Sequence, residues 1–125
     1  MHACEWTPLH WEAVEGRVAV VQCLREQGAD IQAMDVGDQT PLQWAAQVGH
    51  LAVVQYLFEQ GADNEAMDAG GRTPLHSAVR YGHLPVVQYL CEQGSDTEAM
   101  DEYGKTPVHF AAIIGRSNVV QYFEG

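Results

Sequence analysis

Apolar residues recur along this chain at helical spacing. Leu51, Val54, Tyr56 and Leu57 fall on one face of a helix, with Gln55, Glu59 and Gln60 on the other. A shorter helix precedes this one. Thr40 is suited to cap it, and Pro41 to its first position, where a missing N–H costs nothing. Gly49 then suits a left-handed stop. The same pattern predicts helices near residues 7–15, 17–27, 40–48, 50–60, 73–81, 83–93, 106–114 and 117–123. Pro85 falls in a first turn, where proline is tolerated. After Gly28, Gly61 and Gly94 come about a dozen residues rich in Asp and Gly without helical periodicity, which read as a loop and hairpin. No continuous β-sheet core is expected.

The pattern repeats every 33 residues. Thr7-Pro8-Leu9-His10, Thr40-Pro41-Leu42-Gln43, Thr73-Pro74-Leu75-His76 and Thr106-Pro107-Val108-His109 keep this spacing, as do the Val-Val-Gln triplets starting at Val20, Val53, Val86 and Val119. Gly28-Ala29-Asp30, Gly61-Ala62-Asp63 and Gly94-Ser95-Asp96 follow suit. The Thr-Pro-Leu-His start, the Gly-His-Leu-x-Val-Val centre and the Gly-Ala-Asp end resemble the ankyrin repeat over residues 7–125. The resemblance implies an all-α solenoid, with antiparallel helix pairs stacked side by side and hairpins projecting from them. The units would be residues 7–39, 40–72, 73–105 and the shorter 106–125, forming one domain, a rod roughly 40 Å long. It also implies a non-enzymatic protein-interaction module.

Some positions depart from the family pattern. Asp38 stands where the family has a hairpin glycine, held in the next two units by Gly71 and Gly104; Gly37 just before it suggests a turn shifted by one residue. Gln32, Glu65 and Glu98 replace the family's turn asparagine, which argues against asparaginyl hydroxylation. Glu12 and Arg25 put charge where later units have Ala45 and Phe58, as a capping unit requires. The other end offers little polar cover, so Ile114, Val119, Val120 and Phe123 are expected to be poorly covered. That leaves an alternative role open: an assembly scaffold that self-associates, or continues, through this end.

Charge and composition narrow the partner. Six Lys and Arg against seventeen Asp and Glu give a net charge of −11, which argues against nucleic acid and against an anionic membrane surface. The expected partner is a protein, basic if the overall charge guides it. An apolar content of 46% excludes a disordered acidic tail, and no run approaches the ~18 apolar residues of a membrane span. The start of the chain has no signal-peptide character, so a cytoplasmic or nuclear setting is expected, with Cys4, Cys23 and Cys91 reduced.

Candidate chemistry is sparse. His10, His76 and His109 recur in register with the repeat, Gln43 taking the place in the second unit; equivalent atoms of neighbouring units lie about 10 Å apart, too far to share one ion, so no metal and no cofactor are expected. They read as structural histidines bonding to backbone near the next hairpin. The aspartate row Asp35, Asp68 and Asp101 reads as turn caps and solvated charge, since a calcium loop would need a glycine and a final glutamate that are missing. No nucleophile motif or phosphate loop occurs. Trp11, Trp44 and Phe110 share one place in the first helix, and Ser77 breaks the row. Packing between units accounts for them; a partly exposed aromatic strip is the alternative.

The chain supplies its own comparison. Units two and three differ at 12 of 33 positions. The family's groove, formed by the end of the first helix and the hairpin tip, takes in five of these pairs: Gln47/Arg80, Val48/Tyr81, Ala69/Glu102, Gly70/Tyr103 and Arg72/Lys105. Variation concentrated there is what natural divergence of a binding surface produces, and equally what deliberate diversification of a scaffold produces. The expected contact set is Val36, Gln39, Gln47, Val48, Arg72, Arg80, Tyr81, Tyr103, Lys105, Ile113 and Ile114.

Overall fold

The computed structural model describes residues 6–124. Eight helices form in this span: α1 (Pro8–Glu15), α2 (Val18–Glu26), α3 (Pro41–Val48), α4 (Leu51–Glu59), α5 (Pro74–Arg80), α6 (Leu84–Glu92), α7 (Pro107–Ile114) and α8 (Ser117–Glu124). No strand forms among the described residues. The odd-numbered helices pack in series as one layer and the even-numbered helices as a second, and each pair also packs internally. The core lies between the layers. Leu42, Val53, Val54 and Leu57 are fully buried, as are Leu75, Val86, Val87 and Leu90 one unit later.

The Thr-Pro starts explain both the helices and the stacking. In α1, α3, α5 and α7 the threonine hydroxyl accepts from the N–H three residues on, and that third residue's side chain accepts from the threonine N–H. In the first unit Thr7 N–H donates to His10 Nδ1 at 3.1 Å, and His10 Nε2 lies 2.9 Å from Gln39 O. A carbonyl only accepts, so the proton must sit on Nε2 and one tautomer is fixed. His76 repeats this with Thr73 N–H and Lys105 O. Gln43 does the same work as an amide: Oε1 accepts from Thr40 N–H at 2.8 Å, while the NH2 donates to Ala66 O and Arg72 O. The row therefore ties each first helix, without using a charge, to the turn that closes its own unit and leads into the next helix.

Three expectations need correction. The hairpin turn is not shifted at Gly37. Asp38 itself takes the left-handed conformation, at φ 62°, in the place where Gly71 and Gly104 have φ 78° and 77°. Aspartate is among the few side chains that tolerate this region. Val119 is fully buried and Val120 and Phe123 are half-buried, so of the four residues expected to be poorly covered Ile114 alone is exposed, and Val108 and Ile113 join it. Finally, Asp35 and Asp101 are buried rather than solvated. Helix α5 also ends one residue earlier than expected, at Arg80, where Gly82 N–H bonds Val79 O and tightens the last turn.

Cys23 and Cys91 are unpaired, and burial pushes the Cys91 thiol up, keeping it protonated. Cys4 lies outside the described residues. Among those residues no helix is long and apolar enough to cross a membrane, and no group of three metal-ligating side chains forms.

Candidate functional site

Each turn that precedes a Thr-Pro start is built on one aspartate. Asp35 Oδ1 accepts from Gly37 and Gln39 N–H, both at 2.9 Å. Asp68 Oδ1 accepts from Gly70 and Arg72, and Asp101 Oδ1 from Tyr103 and Lys105, at 2.8–3.0 Å. The tips are then tied in sequence: Ala69 N–H donates to Gly37 O at 2.9 Å, and Glu102 N–H to Gly70 O at 3.0 Å. Gly71 has to be glycine here, since a Cβ would meet Glu102 N at 2.9 Å. The ladder of tips holds Gln39, Arg72 and Lys105 at fixed positions facing the ends of the odd helices.

Two adjoining clefts result. One is lined by Gly70, Arg72, Arg80, Asp101, Glu102, Tyr103, Lys105 and Phe110. The other is lined by Gln39, Gln47, Asp68, Arg72, Ser77, Arg80 and Tyr81. Seven of the expected contact residues thus come together around Arg72 and Arg80, which border both clefts. Val36, at 72% exposed, lies at the first turn tip, and Val48 is half-buried at the end of α3. Ile113 and Ile114 are exposed at the end of α7. None of these four lines either cleft. Sequence reasoning missed Asp68 and Phe110 as cleft walls and did not connect Ser77 with them; the signal was the nine-residue offset between the aspartate row and the Trp44–Ser77–Phe110 row.

That offset matters because of what happens at Asp35. Its Oδ2 accepts from Trp44 Nε1 at 2.8 Å and from Trp6 Nε1 at 3.0 Å, so one carboxylate takes four donors. Trp6 meets Trp44 edge-on at 5.0 Å between ring centroids. Burial pushes Asp35 up, but the hydrogen bonds outweigh it and leave the carboxyl below its ordinary range. Asp101 is also lowered: burial raises it, and the Lys105 and Tyr103 N–H groups, with the charge of Lys105, more than offset that.

The cations are distributed unevenly. Arg17 is paired with Glu12 at 2.7 Å, and Arg116 Nε donates to Arg80 O. Arg72 Nε lies 3.4 Å from Asp68 Oδ2, out of hydrogen-bond alignment. Arg80 and Lys105 have no ion-pair partner among the described residues. Arg80 sits over the Tyr81 ring, its guanidinium carbon 5.5 Å from the centroid. Tyr81 is 42% exposed and Tyr103 76%. Two exposed tyrosines and two cations without an ion-pair partner among the described residues thus lie on one open surface.

A family model described as ankyrin repeats (3 copies) matches residues 1–68 and residues 63–123. No curated protein matches the chain.

Proposed function

The chain belongs to the ankyrin repeat family, and from that premise we propose that it binds a protein partner through the two clefts around Arg72 and Arg80. Repeats of this family generally mediate protein–protein interaction and are generally non-enzymatic. The observation that carries the reading is a coincidence of sequence and geometry. Units two and three share most of their residues, yet Gln47/Arg80 and Arg72/Lys105 differ where these clefts open, and so do the exposed Tyr81 and Tyr103. Outer-face residues such as Gln55/Gln88 and Glu59/Glu92 do not differ.

The net charge of −11 favours encounter with a basic partner, and the association rate then falls with salt. The contact itself is aromatic, so its dissociation rate responds less. Against a partner captured from lysate, Tyr81→Ala and Tyr103→Ala each weaken binding by roughly thirtyfold, the effect of about 2 kcal/mol. Gln55→Ala and Glu59→Ala bind like the parent. The opposite ranking moves the contact to the outer face and removes this reading.

One observation favours a second reading, assembly through the α7–α8 face. Val108 is 40% exposed where Leu9, Leu42 and Leu75 are at most 1%. His109 accepts from Thr106 N–H, and among the described residues its Nε2 bonds no carbonyl. The face keeps the form of an internal one. Concentration-dependent association that Val108→Lys abolishes supports this role; a monomer at every concentration removes it.

A further inference from the structure

We propose that the cleft at Ser77 receives the indole of a partner's tryptophan. The proposal rests on the groove reading and names the side chain that the groove takes.

The chain shows what fills the equivalent place one unit earlier. There Trp44 and Trp6 lie against Asp35 and both donate to its Oδ2. Thirty-three residues on, Ser77 stands for Trp44, Gln39 for Trp6 and Asp68 for Asp35. The backbone of the turn is the same, with Asp68 Oδ1 on the Gly70 and Arg72 N–H groups. Both indoles are gone, and a cleft of about 160 Å³ opens in their place. One unit further on, Phe110 fills the position again and is buried. Ser77 therefore makes the single gap in a row of aromatics, and the gap lies in the groove.

The walls state the chemistry of the occupant. Among the described residues Asp68 Oδ2 has no hydrogen-bonded donor, and Gln39 Oε1 is buried without a partner. Two acceptors ask for an N–H. Arg80 and Tyr81 offer a cation and a ring, which favour a flat aromatic body. A partner's arginine would also donate, but it would enter between Arg72 and Arg80 and be repelled. Indole meets both demands: it carries one N–H at the edge of a ring whose face is electron-rich. Arg72 is the group that yields, since its Nε makes no hydrogen bond and its side chain is one third exposed.

The test uses N-acetyltryptophanamide as probe, with N-acetylphenylalaninamide and its 1-methylindole analogue as controls, followed in ¹H–¹⁵N spectra of the full chain. The expected result is saturable shifts at Ser77, the Gln39 side-chain amide and the Arg72 Nε–H. The two controls, lacking the N–H, bind roughly tenfold more weakly or worse. Ser77→Phe, which installs the fourth unit's own residue, abolishes the shifts. Should that variant not fold, the exposed Arg80→Ala serves instead, with a loss of roughly fivefold. No shift at the solubility limit of the probe, shifts elsewhere, or equal binding of the methylated probe overturns the proposal. Self-association that vanishes with Trp11→Ala gives the cleft to a second copy, which overturns the assignment to a partner. If Tyr103→Ala abolishes capture of a partner while Ser77→Phe leaves it unchanged, the groove stands and this slot falls; if neither changes it, both fall.

Discussion

Leu75→Ala lowers the free energy of unfolding by about 3–5 kcal/mol, while Val108→Ala, at the corresponding place of the last unit, lowers it by less than about 1 kcal/mol. Leu75 is fully buried and packed between the two layers. Truncating it removes transfer free energy and leaves a cavity that close-packed neighbours cannot collapse. Val108 has 40% of its surface in water already, and water takes the place of the lost methyls. The comparison is internal, because both residues follow a Thr-Pro start in the same kind of helix. Urea unfolding of the two variants checks it. Comparable losses would show that something covers the α7–α8 face in solution.

Asp35→Ala costs about 3 kcal/mol or more, and Asp68→Ala clearly less. Removing Asp35 strips the acceptor from two backbone and two indole N–H groups at a place largely closed to water. Asp68 holds only the two backbone donors. Acidity tests the same carboxylate. The folded-state value of Asp35 lies below its unfolded one, so the unfolded chain binds more protons in the acid range. The stability that Asp35 supplies is complete above the ordinary aspartate range and is lost as pH falls toward the depressed folded value. Asp101, lowered as well, adds to the same slope. Asp35→Asn removes the titration and turns an amide NH2 toward two indole donors, so the variant is less stable at neutral pH and its urea midpoint falls less steeply in acid. An acid slope equal to the parent's would take Asp35 out of the account.

Most of the fold was legible because its determinants are local. A threonine, a proline and a third-position histidine or glutamine fix the start of each odd-numbered helix within four residues, and the period carries the reading from unit to unit. What the sequence hid is contact between separate segments. Asp35 read as a solvated turn because its indole partners, Trp6 and Trp44, lie 29 and 9 residues away on either side. Asp38 misled for a different reason: the favoured glycine stood next to it, yet the bond from Asp38 N–H to Asp35 O fixed the register of the turn and left Asp38 to adopt the left-handed conformation. The groove residues were found as surface positions that vary, and seven of them converge. Their clefts could not be read directly, since a cleft depends on a side chain that is missing, here an aromatic at Ser77.

The row of His10, Gln43 and His76, each reaching a carbonyl of the next turn, has a mechanical consequence. Every such tie joins a helix to the turn that closes its own unit, and no side-chain hydrogen bond among the described residues spans more than 36 residues, so tension applied to the ends meets one unit at a time. Each released 33-residue period lengthens the chain by about 110 Å at full extension. The molecule is in this sense a stepwise tether: its length grows in equal increments, and release of the α7–α8 pair takes Phe110 out of the wall of the first cleft while leaving the Ser77 cleft lined by the same residues.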